Sequence, residues 1–464
     1  MADTLRCISP IDGSVYVERP LATGADIRGA LQASVLAQRD WAEVDISERQ
    51  RLLGDALQHF NDHSAAIAQE ISWQMGRPLT QAPGELAGLD ERARHMIDIA
   101  PQALANIEPA AKPGFERFIS RDPLGVVFVL APWNYPFLTA VNSIVPALMA
   151  GNAVVLKHSA QTPLCAERFA EAFAAAGLPH GLFHALHMDH DAALALVGDS
   201  RVDFVAFTGA VAGGHAVQRA AATRFIATGL ELGGKDPAYI RADADLAHAA
   251  ENVMDGVFFN SGQSCCAIER IYVHHAVYDE FIERSAAIAA DYRLGNPLDS
   301  KTNLGPLVRT GAADFVRQQV REAIADGARA LIDEKLFHNS VEGTPYLAPQ
   351  LLVGVHHGMR VMHEESFGPV AGIIKVTDDE EAIFGMNDSK YGLSASVWTR
   401  DVAAAQSIGK RVHTGTFFMN RCDYLDPTLA WTGVKDSGRG CTLSALGYEQ
   451  LTRAKSFHLR LATT

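Results

Sequence analysis

A cysteine and a glutamate in two glycine-containing segments suggest covalent chemistry on a carbonyl group. Cys265 lies in the segment Ser-Gly-Gln-Ser-Cys-Cys of residues 261–266, and Glu231 opens the segment Glu-Leu-Gly-Gly-Lys of residues 231–235. A thiolate is the strongest side-chain nucleophile near neutral pH, and a carboxylate in an apolar cleft can take a proton from water. The ordinary alternatives are a buried structural cysteine and a solvated glutamate.

Three further segments could contact a substrate or a nucleotide. Asn134 lies in a rigid loop between two prolines, where its amide could donate to a developing oxyanion or simply form an Asx turn. Lys157 ends a predicted strand and could meet ribose or phosphate, or remain solvated. The loop from Gly209 to Gly214 follows a strand and opens a helix, which favours pyrophosphate binding. Its spacing is not that of the standard dinucleotide fingerprint, so a plain turn is the alternative.

Alternating apolar runs and helical stretches predict the elements that position these residues. Strands are expected at 126–130, 153–156, 182–186 and 203–208, with helices between them, which indicates a doubly wound parallel sheet. A second set of strands and helices between 271 and 376, including a strand at 330–333, predicts another α/β domain. The first hundred residues are predicted to be helical, from apolar spacing at 27–41 and 48–60.

The end of the chain returns to alternating strand character. The segment from Ala454 to Leu461 is expected to pair either with the early strand Phe115–Ser120 or with another subunit. A register fixed by alternating side chains would make either pairing specific.

The composition is that of a globular protein with two or three domains. The chain has 464 residues, a formal net charge of −14 and no basic run, which argues against nucleic-acid binding. The start lacks the apolar core of a signal peptide, and prolines and asparagines interrupt the most apolar stretch, 126–156, so no membrane association is expected. Six scattered cysteines favour reduced thiols and a cytoplasmic location, and the 18 histidines suggest no metal site.

Taken together, the motifs resemble those of the aldehyde dehydrogenase superfamily over nearly the whole chain. In chain order they are Pro132-Trp133-Asn134, Phe207-Thr208-Gly209 with Gly214, Glu231-Leu232-Gly233-Gly234-Lys235, Gly262-Gln263-Ser264-Cys265, Glu365-Ser366-Phe367-Gly368-Pro369 and Lys435-Asp436-Ser437-Gly438. Each motif alone is weak, but six in the family's order make a chance match improbable.

The resemblance implies a three-part subunit. A Rossmann-like dinucleotide-binding domain would comprise residues 1–111 and 126–230, and a second α/β domain, 231–440, would be catalytic. A small β oligomerisation element would comprise 112–125 and 441–464. Such subunits form homodimers or homotetramers.

The resemblance also implies a role for each matching residue. Cys265 would be the nucleophile, Asn134 the oxyanion donor and Glu231 the general base. Contacts to NAD or NADP are implied at Trp133, Lys157, Ser159, Gly209, Gly214, Glu365 and Phe367. The implied reaction oxidises an aldehyde to a carboxylic acid through a thiohemiacetal and a thioester. The presence of Glu231 favours hydrolysis over transfer to coenzyme A.

Two departures from the family pattern leave the cofactor and the substrate open. Family members that prefer NAD usually have Pro-x-Glu after the lysine, whereas this chain has His158-Ser159-Ala160, which would not repel a 2′-phosphate. Residues 430–433 read Ala-Trp-Thr-Gly where Pro-Phe-Gly-Gly is frequent, which changes the substrate tunnel. We place the tunnel wall at Tyr135, Leu138, Cys266, Asp423, Tyr424, Leu425 and Trp431.

Two alternative functions follow. Arg421, beside the predicted tunnel residues, suggests a semialdehyde dehydrogenase for a short aldehyde with a distal carboxylate, although a surface arginine explains it equally well. A catalytically silent binding protein of the same fold is the other alternative.

Overall fold

The computed structural model describes residues 4–461, in which two mostly parallel sheets are packed against helices. Strands and helices are numbered in chain order. The first sheet contains β4 Val126–Ala131, β5 Ala153–His158, β6 Phe183–Ala185, β7 Phe204–Thr208, β8 Ala227–Glu231 and β16 Gly438–Arg439. The second contains β9 Asp236–Ile240, β10 Ile268–His274, β11 Arg329–Ala330, β12 Gln350–Val353, β13 Val370–Val376, β14 Ser394–Trp398 and β15 Thr416–Met419. Two antiparallel ribbons pair β1 Thr4–Ile8 with β2 Val15–Pro20, and β3 Phe115–Pro123 with β17 Thr452–Arg460.

The helices connect these strands. They are α1 Gly24–Ala42, α2 Ile46–Asp62, α3 Ser64–Met75, α4 Pro83–Ala103, α5 Pro136–Met149, α6 Pro163–Ala175, α7 His190–Val197, α8 Val211–Ala221, α9 Leu246–Phe258, α10 Tyr278–Ala290, α11 Thr310–Ala325, α12 Arg360–His363, α13 Asp379–Asn387 and α14 Val402–Gly409. None of those between residues 4 and 461 is long and apolar enough to cross a membrane.

The first sheet is doubly wound, as predicted. Its order is β16-β8-β7-β4-β5-β6, and β4 to β8 run parallel. The chain leaves β4 toward β5 and β6, then returns to place β7 and β8 on the other side. Ligands of such sheets bind beyond the carboxyl ends of the strands, where the order reverses. In this sheet that is the loop after β4, which contains Asn134.

The second sheet confirms the expected second α/β unit. Its order is β11-β12-β13-β10-β9-β14-β15, with β11 alone antiparallel to its neighbour. The strand expected at 330–333 is shorter and lies at Arg329–Ala330. Strands β9, β12, β14 and β15 were not predicted.

The amino-terminal region is not wholly helical, which corrects the sequence prediction. Helices α1 and α2 form where expected, but residues 4–20 form the β1–β2 ribbon. Side chains in β1 are alternately exposed and buried, and buried Cys7 packs with Val17 and Leu164. This period of two is the strand pattern that a helical interpretation overlooks.

The carboxyl-terminal strand pairs within the chain. Strand β17 runs antiparallel to β3 over nine residues of each, which confirms the first of the two expected pairings. The division into 1–111 with 126–230, 231–440, and 112–125 with 441–464 stays a prediction. Strand β16 lies in the second range yet pairs with β8 of the first sheet. Residues 1–3 and 462–464, at the ends of the predicted ranges, lie outside the described residues.

Candidate active site

A tight loop after α9 presents Cys265. Asn260, Ser261 and Gly262 have positive φ angles of 53°, 57° and 73°. For the two residues that are not glycine this conformation costs about 1–2 kcal/mol each. Tertiary contacts hold it, because the Ser261 hydroxyl donates to the Gly305 carbonyl at 2.8 Å. The side chain of Cys265 is partly exposed at the end of this loop.

Asn134 is fixed beside the loop that contains Cys265. It follows β4 and is only 5% exposed, and its Nδ2 donates to the carbonyl of Gln263 at 3.2 Å. Its own carbonyl accepts from the Arg77 guanidinium and, at 3.3 Å, from Asn260 Nδ2. These bonds place an amide donor against the backbone two residues before Cys265. A fixed donor of this kind can stabilise an oxyanion with little reorganisation.

Glu231 ends β8 and faces the same region. Its Oε1 accepts from Thr442 Oγ1 at 2.6 Å and its Oε2 from Thr208 Oγ1 at 3.4 Å. Burial raises the pKa of Glu231, and the bond from Thr442 opposes that rise. A Cβ at Gly234 would lie 2.2 Å from the carbonyl oxygen of Cys265. The two catalytic loops therefore pack at a distance that only glycine allows.

Cys265 and Glu231 line one cavity of about 550 Å³. All seven residues that the sequence placed in the tunnel wall also line it. They are Tyr135, Leu138, Cys266, Asp423, Tyr424, Leu425 and Trp431. Arg421 does not line this cavity. It borders a neighbouring depression, with its guanidinium 4.0 Å from the centre of the Tyr424 ring.

Helix α4 supplies a wall of the cavity that the sequence prediction missed. Gly84, Gly88 and Arg92 recur every four residues and face the cavity, as does Asn142 of α5. Four-residue spacing places side chains on one face of a helix. The four-residue spacing is visible in the sequence, but the sequence does not show that this face of α4 lines the cavity.

The adjacent Cys266 is held as a thiol. Its Sγ donates to Asp423 Oδ1 at 2.9 Å. The neighbouring thiol of Cys265 and burial raise the pKa of Cys266 well above its usual value, and burial raises the pKa of Asp423 to about 6. A buried thiol that stays protonated is a poor nucleophile. This contrast favours Cys265 as the reactive sulfur.

Lys157 offers a free cation at the carboxyl edge of the first sheet. It lies in β5, one residue before the strand ends, and Ser159 follows the strand. The side chain is 8% exposed, and its Nζ has no hydrogen-bond or ion-pair partner within residues 4–461. Burial lowers the pKa of Lys157, with Asp189 partly opposing. An ammonium group with unused donors fits the ribose or phosphate of a dinucleotide.

The two loop glycines differ in their surroundings. Gly209 follows β7, and its N–H donates to the carbonyl of Glu231 at 3.0 Å. Gly214 lies inside α8, where a Cβ would come within 2.8 Å of the Leu232 side chain. Gly214 therefore allows α8 to approach the turn after β8. This is the packing role that a later glycine of a nucleotide loop also serves.

Glu365, Phe367 and Trp133 meet at the Glu231 segment. The Trp133 and Phe367 rings are edge to face, 5.6 Å between centres. Glu365 Oε1 accepts from the N–H of Gly234 at 2.9 Å, and burial is the main cause that raises its pKa to about 7. These contacts join Glu365 to the Glu231 segment, and Phe367 to Trp133 in the loop after β4. Within residues 4–461 no three His, Cys, Asp or Glu side chains are grouped to hold a metal ion.

A thiol, an amide donor and a carboxylate lie beside a nucleotide-type sheet edge, an arrangement suited to an oxidoreductase that works through a covalent carbonyl adduct. Comparisons with known proteins agree. The sequence model of the aldehyde dehydrogenase family matches residues 1–457. The chain belongs to the aldehyde dehydrogenase family.

Individual relatives cover almost the whole chain. The succinate semialdehyde dehydrogenase Sad of Escherichia coli (strain K12), an NAD(P)+ enzyme, is 34% identical over 443 residues, which are 96% of this chain and 95% of that protein. The 3,6-anhydro-alpha-L-galactose dehydrogenase of Streptomyces coelicolor is 33% identical over 99% of this chain and 94% of its own length. The crystal structure of an NAD-dependent aldehyde dehydrogenase from Sinorhizobium meliloti superposes with a TM-score of 0.95 at 31% identity, covering 100% of this chain and 92% of that one.

These matches confirm the predicted fold class and the prediction of an NAD(P)-dependent aldehyde dehydrogenase. They remove the alternative of a catalytically silent binding protein. The named relatives differ in the aldehydes they oxidise, so family membership alone does not define the substrate.

Proposed function

We propose that this enzyme oxidises an aldehyde to its carboxylic acid with Cys265 as nucleophile, Asn134 as oxyanion donor and Glu231 as general base. The observation that supports this most strongly is the contact between the two loops. Only hydrogen fits between Gly234 and the carbonyl of Cys265, so the base and the nucleophile are carried on touching segments. Both side chains face the same cavity.

Each step uses a group in the position described. The Cys265 thiolate adds to the carbonyl carbon, and the Asn134 amide stabilises the resulting oxyanion. Hydride then leaves the thiohemiacetal, which becomes a thioester. Glu231 takes a proton from water, and the hydroxide that forms attacks the thioester and releases the acid and the thiol. The raised pKa of Glu231 makes its carboxylate a stronger base than a solvated glutamate.

The dinucleotide fits the carboxyl edge of the first sheet. Lys157, Ser159 and the Gly209 turn would hold its ribose and phosphate groups, and Trp133, Glu365 and Phe367 its nicotinamide half, with Gly214 allowing α8 to close on the loop. When bound, the nicotinamide accepts the hydride.

The exposed Ala160 supports use of NADP. An Ala160→Glu variant adds a carboxylate that would repel a 2′-phosphate, so we expect kcat/KM with NADP to fall by about 10-fold or more relative to NAD. Steady-state rates with both cofactors measure this ratio. An unchanged ratio would show that residue 160 does not contact the cofactor.

Three variants test the catalytic assignment. Cys265→Ala should abolish reduction of NAD(P), whereas the adjacent Cys266→Ala should retain turnover. Glu231→Gln should still form one equivalent of NAD(P)H in a stopped-flow burst. Its steady-state rate should then be about 100-fold or more below that of the wild type, because the thioester is not hydrolysed. Full steady-state turnover by Cys265→Ala would show that the nucleophile is misassigned.

A short semialdehyde is the second candidate for the substrate. The Escherichia coli relative is named for succinate semialdehyde, and its match extends over 96% of this chain. Arg421, the residue that suggested this substrate from the sequence, borders a different depression. Another arginine, Arg92, lines the catalytic cavity itself.

The cysteines and the apolar surface support proposals for location and assembly. All six cysteines are unpaired, which supports a reducing, cytoplasmic setting. The β3–β17 ribbon exposes the apolar side chain of Leu459, and the exposed Leu461 follows it directly, which supports assembly into a homodimer or homotetramer.

A further inference from the structure

Two buried polar side chains in the cavity wall have unused hydrogen-bonding groups. Arg92 of α4 is 8% exposed. Its Nη1 donates to the carbonyl of Leu138 at 2.9 Å, and its other N–H groups have no partner within residues 4–461. Asn142 of α5 is 3% exposed, and neither its amide oxygen nor its amide nitrogen has a partner in the described part of the chain. Buried polar groups are rarely left unpaired, so this pair indicates a ligand that supplies the missing partners.

The packing of α4 on α5 explains why both residues reach the cavity. A Cβ at Gly88 would lie 2.5 Å from a methyl group of Leu138, so glycine allows the two helices to cross closely. Arg92 lies one helical turn after Gly88, and Asn142 one turn after Leu138. Both line the cavity that contains Cys265.

The other charged groups of the cavity are already engaged. Glu85 forms an ion pair with the Arg77 guanidinium, and Glu91 accepts from the Tyr424 hydroxyl at 2.6 Å. Asp423 accepts from the Cys266 thiol, as described above. Arg92 is therefore the charged donor whose N–H groups are still partly unpaired. Its planar guanidinium can donate two parallel hydrogen bonds to one carboxylate.

We propose that the cavity selects aldehydes whose far end carries a carboxylate, with Arg92 and the Asn142 amide N–H groups donating to that carboxylate. The inference rests on the proposed function, since it names the substrate class of the same site. It assigns the selection to α4 and α5 rather than to Arg421. An uncharged aldehyde would leave both side chains unpaired, and an ammonium group would face the guanidinium.

The test compares straight-chain aldehydes of equal length that end in a carboxylate, a methyl group or an ammonium group. The wild type should prefer the carboxylated aldehyde by about 10-fold or more in kcat/KM. Arg92→Met should lower the ratio of carboxylated to uncharged kcat/KM by about 10- to 100-fold, mainly through KM, and Arg92→Lys should restore part of it. Asn142→Leu should lower the ratio by a few-fold.

Arg421→Met is the matched control, because it removes an arginine that borders the neighbouring depression, and it should leave the ratio unchanged. A second readout does not depend on turnover. Butanedioate should protect Cys265 from alkylation by iodoacetamide better than butanoate, and the difference should disappear in Arg92→Met.

The outcomes separate the two proposals. Equal losses for charged and uncharged aldehydes in Arg92→Met, or a wild-type preference for the uncharged or ammonium aldehyde, would overturn the role of Arg92 while leaving aldehyde oxidation intact. Absence of turnover with every aldehyde and both cofactors would instead defeat the proposed function. If Arg92→Met fails to fold, the ratios of wild type, Arg92→Lys and Asn142→Leu decide the question.

Discussion

The protonation state of Glu231 should control the rate of thioester hydrolysis at acidic pH. Only the carboxylate can take a proton from water, so the rate should fall as pH drops through the raised pKa of this residue. The hydroxyl of Thr442 stabilises the carboxylate from 2.6 Å. Thr442→Val removes that bond and raises the pKa further. We therefore expect the acidic limb of the kcat profile to move to higher pH, as measured by steady-state rates between pH 5 and 9.

A matched pair of variants isolates this effect. Thr208→Val removes a longer bond of 3.4 Å to the other oxygen of Glu231 and should move the same limb by less. Thr428→Val removes a hydroxyl that bonds to Asp426 instead, and should not move it. A limb that stays in place in Thr442→Val would show that Glu231 is not the group that titrates.

The candidate catalytic residues could be proposed from the sequence because each lies in a short local motif. Cys265, Glu231 and Asn134 each lie within three residues of a glycine or proline, and such signals do not depend on distant parts of the chain. Arg92 and Asn142 could not be predicted, since they face a cavity only because α4 packs on α5. Arg421 was assigned to the tunnel by its proximity in sequence, but its side chain lies over Tyr424.

Activity should depend on the close contact between the Glu231 and Cys265 loops. A methyl group at Gly234 would overlap the Cys265 carbonyl, so Gly234→Ala should push the two loops apart. A displacement of about 1 Å at a catalytic group can reduce the rate by about 100-fold, and we expect a loss of that order in kcat/KM.

Gly54→Ala is the control for this substitution. Gly54 lies inside α2 with no atom within 4 Å of the added methyl group, and alanine favours the helix by about 0.5–1 kcal/mol. Its activity should be unchanged and its thermal midpoint slightly raised. Wild-type rates in Gly234→Ala would contradict the close packing of the two loops.

A buried ion pair joins the two catalytic segments to the second sheet. Lys235 is the last residue of the Glu231 segment and pairs with Glu269 of β10, and both side chains are nearly inaccessible. Glu269 also accepts from the backbone N–H groups of Ser366, at 2.8 Å, and Phe367, at 3.0 Å. Glu269→Gln leaves Lys235 unpaired and should reduce the free energy of unfolding by about 3–5 kcal/mol, as measured by urea denaturation.

The double variant Lys235→Met with Glu269→Gln tests the cause. Removing both charges should recover much of the loss, because no uncompensated buried charge remains. Arg284→Ala breaks an exposed pair within α10 and should change the free energy of unfolding by less than about 1 kcal/mol. An equal loss in the single and double variants would mean that packing, not charge, dominates.

The predicted elements that proved correct have strong periodic signals. Strand β4 is a continuous buried apolar run, and the helical spacing predicted at 48–60 lies within α2, Ile46–Asp62. Strands β14 and β15 were missed because they are short and contain serine or threonine beside apolar residues. The β1–β2 ribbon was missed because only three of its side chains, Leu5, Cys7 and Val17, are buried.

The β3–β17 ribbon should require a second subunit to cover its apolar surface. A two-stranded ribbon is marginally stable by itself in water, yet this one is nine residues long. Its Phe118 and Phe457 rings stack across the strands at 4.4 Å, and Leu459 is 43% exposed. Leu459→Arg adds a charge to the apolar surface, so we expect it to shift the assembly toward monomer in light scattering coupled to size exclusion.

Leu336→Arg is the matched control, since it changes an equally large exposed leucine outside the ribbon, and it should leave the mass unchanged. The wild type should elute as a dimer or tetramer at micromolar concentration. A monomeric wild type would leave the ribbon without the partner that its apolar surface requires. If Leu459→Arg dissociates the assembly yet keeps its activity per subunit, the ribbon acts in assembly alone, because the cavity around Cys265 is built within one chain.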